Sequence, residues 1–358
     1  MTIFAKLVVS EEDGIRRFLY PLTFELPFKK HETLEVAIRD DAGTLLPCEV
    51  YSSRSKLIVH FAVSLEPYER RKLTVFRSEQ KAPIPDPMTI SSDESGAFTI
   101  KQERITTTLQ NGGLPASVVY DGVEHLAAPI VFTLNGEQAD DEPVRSKSSG
   151  RELAYHNSSK SLYVANDRLS LTETRLTACK SWIDITHTVE EPAGGSIISL
   201  DIPLSSPKDD EVPTTDFGLG NGVYLKVDGD AVMLEADFYG KKPYCCWQIS
   251  RVNEGIQRID YQGDAVTVKD LSKSFYFHWT LPHRSLAVAI TQLPYTTSHI
   301  QALLGRNGKI HFSVVLADVP VRKATVGVVL HFLNDIPAIA AATNPASIVS
   351  PPLIVVKL

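Results

Sequence analysis

Two stretches place aromatic faces beside titratable or fork-shaped polar groups: Tyr244-Cys-Cys-Trp-Gln-Ile-Ser-Arg251 and Tyr276-Phe-His-Trp-Thr-Leu-Pro-His-Arg284. A ring face can cover the apolar CH side of a sugar, while Arg or His supplies hydrogen bonds to its hydroxyls. Arg251 and Arg284 could also grip a carboxylate in a bidentate pair. His278 or His283 could move protons near neutral pH. The candidate catalytic set is His278, His283 and Arg284. The candidate substrate-binding set is Tyr244, Trp247, Arg251, Trp279 and Asp216. The same pattern also fits two tryptophans in a core on neighbouring strands, with histidines held by structural hydrogen bonds. His278 and His283 stand five apart with Pro282 between them, a poor spacing for a shared metal. No metal and no cofactor is expected.

Other polar clusters are less pointed. Asp216-Phe-Gly-Leu-Gly-Asn-Gly222 is glycine-rich, but its spacing is not a dinucleotide fingerprint, and a strand pattern follows where a helix is needed. It reads as turn chemistry, or as a rim loop offering Asp216 or Asn221 to a ligand. Glu235 and Asp237 share a strand face, which suits acid–base work on glycosides and, more commonly, a solvated surface. Asp140-Asp-Glu142 and Asp209-Asp-Glu211 lack the alternating spacing of a calcium loop and read as solvated. No serine sits in a nucleophile elbow. Cys48, Cys179, Cys245 and Cys246 are too few for a disulfide framework in 358 residues and read as buried thiols.

Whatever chemistry these residues do, strands must hold them. Short apolar or alternating runs, closed by Gly, Asp, Asn or Pro, recur almost from end to end. The expected class is all-β. Residues 1–80 read as a small barrel or sandwich. Residues 81–96, with Pro83, Pro85 and Pro87, read as a linker. Residues 97–358 read as a large antiparallel sandwich, interrupted by polar loops at 138–151 and 205–215. Within it, 223–238 reads as one hairpin turning at Asp228-Gly229. A short helix is expected at 298–304 with Ser298 as its N-cap, and a closing strand at 353–358.

Composition sets outer bounds. A chain of 358 residues with 43% hydrophobic content can bury a sizeable core, and two by this reading. The net charge is −7 and no long basic block occurs, so nucleic-acid binding finds no support. No apolar run is long enough to span a bilayer. The first ten residues read as a strand and not as a signal peptide, so a cytoplasmic location and no membrane contact are expected.

Two further patterns resemble known families. In the first segment, Phe24-Glu-Leu-Pro-Phe28, the run 36–50 with its Asp-Ala-Gly turn, and Lys72-Leu-Thr-Val-Phe76 resemble small barrels that precede large sandwiches in carbohydrate-active enzymes. In the second, residues 98–121 with Asn111-Gly-Gly-Leu-Pro, then Thr172-Glu-Thr-Arg-Leu-Thr and Trp182-Ile-Asp-Ile-Thr-His-Thr-Val189, resemble the supersandwich of galactose-mutarotase-like domains. Such modules occur in the C-terminal halves of retaining α-mannosidases and in exo-acting rhamnogalacturonan lyases. Residues 277–289 also resemble the latter. The resemblance implies a protein that binds or processes an oligosaccharide or polysaccharide, as a glycosidase or lyase or as the all-β subunit of one. The family enzymes carry their chemistry on a helical barrel or α/β domain, and nothing in this sequence could be either. A homo-oligomer or a catalytic partner subunit is the implied association. The alternative is a non-catalytic carbohydrate-binding or assembly module.

Overall fold

The computed structural model describes residues 2–27, 35–53, 55–94, 96–110, 113–140, 142–178, 180–208, 210–220, 223–228, 232–237, 244–245, 247–251, 257–260, 266–267, 276–333 and 352–357, with strand backbone alone at 53, 216–267 and 333. Among the described residues there is no helix. Their strands form sheets of five, three, five, nine and eight strands and one two-stranded pair, and the described strands pair antiparallel throughout. The all-β class expected from the sequence is what the chain adopts.

The first unit closes a small core between a five-stranded and a three-stranded sheet. In Arg17–Pro27 the even residues Tyr20, Leu22, Phe24 and Leu26 point inward. Thr23 and Glu25 point outward, as period-two geometry requires. Lys56–Leu65 lies between Arg17–Pro27 and Cys48–Ser53, in a register that sets His60 opposite both Thr23 and Glu49. The closing strand forms as Leu353–Lys357, but it pairs with Ile3–Ser10. The end of the chain thus returns to the first unit and does not close the large sandwich.

The second core lies between the nine- and eight-stranded sheets, with Trp279, Phe277, Phe312 and Phe332 fully buried in it. Several sequence expectations change here. Residues 298–304 are not helical: Thr297–Leu304 is a strand paired on both sides, burying Ile300, Ala302 and Leu304 at period two. The Ser298 hydroxyl donates to the Val315 carbonyl at 3.1 Å in place of capping a helix. Val223–Asp228 and Val232–Asp237 do not form a hairpin with each other. The former pairs with Thr214–Gly220 in the nine-stranded sheet, the latter with Trp247–Arg251 and Thr297–Leu304 in the eight-stranded one. The expected linker is partly woven in: Thr89–Ser92 pairs with Phe98–Lys101, and Met88 is buried in the large core. Arg145–Gly150, expected as loop, is a strand along one margin of the nine-stranded sheet.

Candidate functional site

The two units face each other across a cleft of about 1140 Å³. One wall is the outer face of the three-stranded sheet, offering Thr23, Glu25, Glu49, Tyr51, Ile58 and His60. The other is the outer face of one end of the nine-stranded sheet. There His156, Arg175 and Asp184 are direct register partners on three successive strands, Ala154–Tyr163, Arg168–Thr177 and Trp182–Glu190. Residues two apart on a strand share a face, so Glu173 stands beside Arg175 and Trp182 beside Asp184. Polar groups from both walls and the Trp182 and Tyr51 rings therefore converge on one opening.

The electrostatics of the cleft follow from that geometry. The His60 ring is bracketed by the Thr23 hydroxyl at Nδ1 (2.7 Å) and the Tyr51 hydroxyl at Nε2 (3.2 Å), with the Tyr51 ring 5.3 Å away. Burial, then the neighbouring His156 and Arg175, lower its pKa to about 4, so it is a neutral imidazole at pH 7. His156 Nε2 lies 3.1 Å from Glu173 Oε1. Burial and Arg175 still push it down, against the pull of the Glu173 carboxylate. Asp184 moves the other way. Its side chain keeps 37% exposure toward the cleft, yet the surrounding protein desolvates the carboxyl and raises it, and Arg175 only partly offsets this. Groups pushed apart in this manner can divide proton donation and acceptance between them. Arg175 spans the acids, with Nη2 3.7 Å from Glu173 Oε1 and Nη1 3.9 Å from Asp184 Oδ2.

Two latches hold the walls together. Glu49, on the first unit, is buried and accepts a hydrogen bond from the Ala154 N–H of the second at 3.2 Å. Arg151 Nη1 donates in the reverse sense to the Val50 carbonyl at 3.2 Å. The second latch is aromatic. Tyr20 and Trp182 rings sit 5.8 Å apart, and Lys180 Nζ lies over both while donating to the Phe18 carbonyl at 2.6 Å.

The residues singled out from the sequence fall elsewhere, and on more than one face. Trp279 is 1% exposed inside the sandwich, and its Nε1 has no hydrogen-bond partner among the described residues. Its indole is core and offers no platform. His278, one residue away, points to the opposite face, where it is buried and its Nε2 lies 3.0 Å from the Thr280 hydroxyl. His283 is exposed in the turn between Tyr276–Leu281 and Arg284–Gln292. Arg284 uses Nη2 to bind the Ser205 and Ser206 carbonyls at 2.5 and 2.6 Å, fastening that hairpin to the preceding segment. Partial burial lowers its pKa. Asp216 lies on the strand Thr214–Gly220, not in a loop, as the register partner of His278. Tyr244, Trp247 and Arg251 lie on Tyr244–Cys245 and Trp247–Arg251, whose side chains are outside the described residues, as are those of Glu235 and Asp237. Cys48 is a buried free thiol, raised by burial; the other cysteines are outside the described side chains.

None of the cleft groups was singled out from sequence. The available signal was the pairing of Glu173 with Arg175 and of Trp182 with Asp184 at spacing two. That marks a polar face on both strands, within the stretches that carry the mutarotase-like resemblance.

No family model matches the chain, and no curated protein matches it by sequence. Solved structures do. An alpha-mannosidase from Enterococcus faecalis aligns over 99% of this chain and 46% of its own, with TM-score 0.64 and 9% identity. A glycosyl hydrolase family 38 protein from Enterococcus faecalis aligns over 99% and 47%, with TM-score 0.58 and 8% identity. A galactose mutarotase related enzyme from Lactobacillus acidophilus aligns over 66% of this chain at TM-score 0.35, too low to carry an argument. The likeness to the two Enterococcus structures is one of fold, in agreement with the α-mannosidase resemblance drawn from the sequence. The chain spans about half the length of those two structures.

Proposed function

We propose that this chain is the all-β part of a carbohydrate-active enzyme and holds an oligosaccharide in the cleft between its units. The observation that carries the reading is the cleft itself. It joins the Trp182 and Tyr51 rings to a dense set of donors and acceptors, the combination that polyhydroxylated rings with apolar faces require. The shared fold with two glycosidase-type structures supports the class of ligand. Bond cleavage is assigned to a part other than these sheets, such as a catalytic partner subunit. Arg175 and Lys147 favour a guest with at least one acidic or strongly polar group.

The test is titration with a panel of plant and microbial oligosaccharides, followed by reducing-end release and by absorbance of unsaturated products. Binding that is lost in Arg175→Ala and in Trp182→Ala supports the reading. Binding that survives both substitutions, or its absence across the panel, removes it.

A further inference from the structure

Part of the inner face of the nine-stranded sheet, on two neighbouring strands, is polar where a sandwich core should be apolar. Asn157, Ser159 and Ser161 point inward from Ala154–Tyr163; Ser170, Thr172 and Thr174 do so from Arg168–Thr177. They form three facing pairs: Asn157 with Thr174, Ser159 with Thr172, and Ser161 with Ser170. All are at least nine-tenths buried. Small polar side chains in an interior leave space and unpaired hydrogen-bonding groups, both of which cost stability unless something fills them.

The space exists. A cavity of about 270 Å³ lies between the sheets, with Ser161, Tyr163, Ser170, Thr172 and His187 at its floor and Gln138 and Asp140 exposed at its mouth. Its volume holds one monosaccharide-sized guest, or about nine waters at ~30 Å³ each. His187 is 1% exposed and is fixed by stacking on Phe132, with centroids 4.3 Å apart and planes 7° apart. Its Nε2 lies 2.9 Å from the Tyr163 hydroxyl, and its Nδ1 2.9 Å from the Thr172 hydroxyl. Burial lowers its pKa to about 3, so the ring is neutral.

A neutral imidazole has one N–H and one bare nitrogen. One of the two hydroxyls must therefore accept from the ring, leaving its own proton to donate elsewhere. The other must donate into the ring, leaving its lone pairs open. Tyr163 and Thr172 thus offer one donor and one acceptor side by side, whichever tautomer His187 adopts. Ser161, a buried residue, adds a further hydroxyl to the lining. Asp140 at the mouth repels anions.

We propose that this cavity is a second binding site, distinct from the cleft, for a single neutral monosaccharide or similar small polyol. Its donors and acceptors are uncharged and preset, and its entrance carries a carboxylate. The cleft, by contrast, carries Arg175 and Lys147.

The test uses the full chain with D-mannose, D-galactose, D-glucose and L-fucose as probes, and D-glucuronate as the anionic control. Binding is read by saturation-transfer NMR and calorimetry. The expected result is saturable binding of at least one neutral sugar, retained in the cleft variant Arg175→Ala. Ser161→Leu, which fills the space, should abolish it. Ser161→Ala, which removes one hydroxyl and leaves the volume, should weaken it about tenfold; this milder variant decides the matter if the leucine variant does not fold. Three results overturn the proposal: no neutral sugar bound, glucuronate bound as well as the neutral sugars, or binding lost in Arg175→Ala while Ser161→Ala and Ser161→Leu retain it. The last outcome assigns the sugar to the cleft alone.

Discussion

Arg175 and Asp184 are register partners on adjacent strands, and the guanidinium Nη1 lies 3.9 Å from the carboxylate Oδ2. The antiparallel pairing of Arg168–Thr177 with Trp182–Glu190 brings them together. Arg175 lowers the Asp184 pKa while burial raises it, and burial wins. Removing the guanidinium leaves burial unopposed. Arg175→Met should therefore raise the Asp184 carboxyl further, visible in a carboxyl-selective NMR titration. Oligosaccharide binding should fall about tenfold or more, the usual scale for a lost charged hydrogen bond. An unchanged Asp184 titration would show that the two groups do not interact in solution.

Trp182 and Trp279 separate cleft from core. Trp182 lines the cleft, against Tyr20 and under Lys180, while Trp279 is sealed between sheets, its Nε1 without a hydrogen-bond partner among the described residues. Trp182→Ala should weaken glycan binding. Trp279→Phe should leave binding alone and change only stability, within about 1–3 kcal/mol, because lost volume and a removed unpaired N–H oppose each other. Calorimetric affinity beside urea unfolding for both variants checks this. A glycan defect in Trp279→Phe without a stability change would reinstate that indole as a contact residue.

How much of this was readable in advance depended on which face of each strand was apolar. Trp182–Glu190 shows its alternation plainly through Ile183, Ile185 and Val189. Ala154–Tyr163 shows it only weakly. Its inward residues include Asn157, Ser159 and Ser161, so the period of two is written in polar residues, where hydropathy does not show it. Residues 298–304 carry helix-tolerant Ala, Gln and Leu, and two flanking strands override that preference. Most of the candidate cleft was illegible for a different reason. His60 meets His156 and Arg175 only because two separate sheets pack face to face, and register and packing of that kind have no local signature. The clusters of aromatic and polar residues at 244–251 and 276–284 are legible as composition. Where its side chains are described, the second divides between a core face, an outer face and an exposed turn.

Glu49 should act as a hinge pin. Its carboxylate is buried, raised by that burial, and joined to the backbone of 152–154 across the unit boundary. Glu49→Ala deletes the acceptor and strands the Ala154 N–H. The expected cost is about 1–3 kcal/mol. Backbone amides at 152–154 should exchange faster, and glycan affinity should drop because the walls no longer hold their spacing. Hydrogen exchange by mass spectrometry reads both units at once. Protection that is unchanged at 152–154 would assign the clamp to the Tyr20–Lys180–Trp182 contact instead.

Acid should weaken the fold well above the usual carboxylate range. His60 is lowered to about 4, and His187 and His331 to about 3, in each case chiefly by burial. In the unfolded chain a histidine takes its proton near 6.5. Between that value and the folded one, the unfolded state binds more protons, so stability falls as pH falls. The contribution is fully present above about 6.5 and is lost on descending toward about 3, at up to about 1.4 kcal/mol per pH unit for each group. Asp184 and Glu49 act in the opposite sense, because their raised carboxyls bind protons more readily in the folded state and soften the slope. The clean measurement is therefore a difference. His60→Gln cannot take up that proton in either state. Its urea-unfolding free energy should depend less steeply on pH than that of the wild type, by up to one proton between pH 6.5 and 4, and the two curves should run parallel above 7. Curves parallel through the acid range as well would mean that His60 is as easily protonated in the folded protein as in the unfolded chain, and that the wall carrying it is open to water.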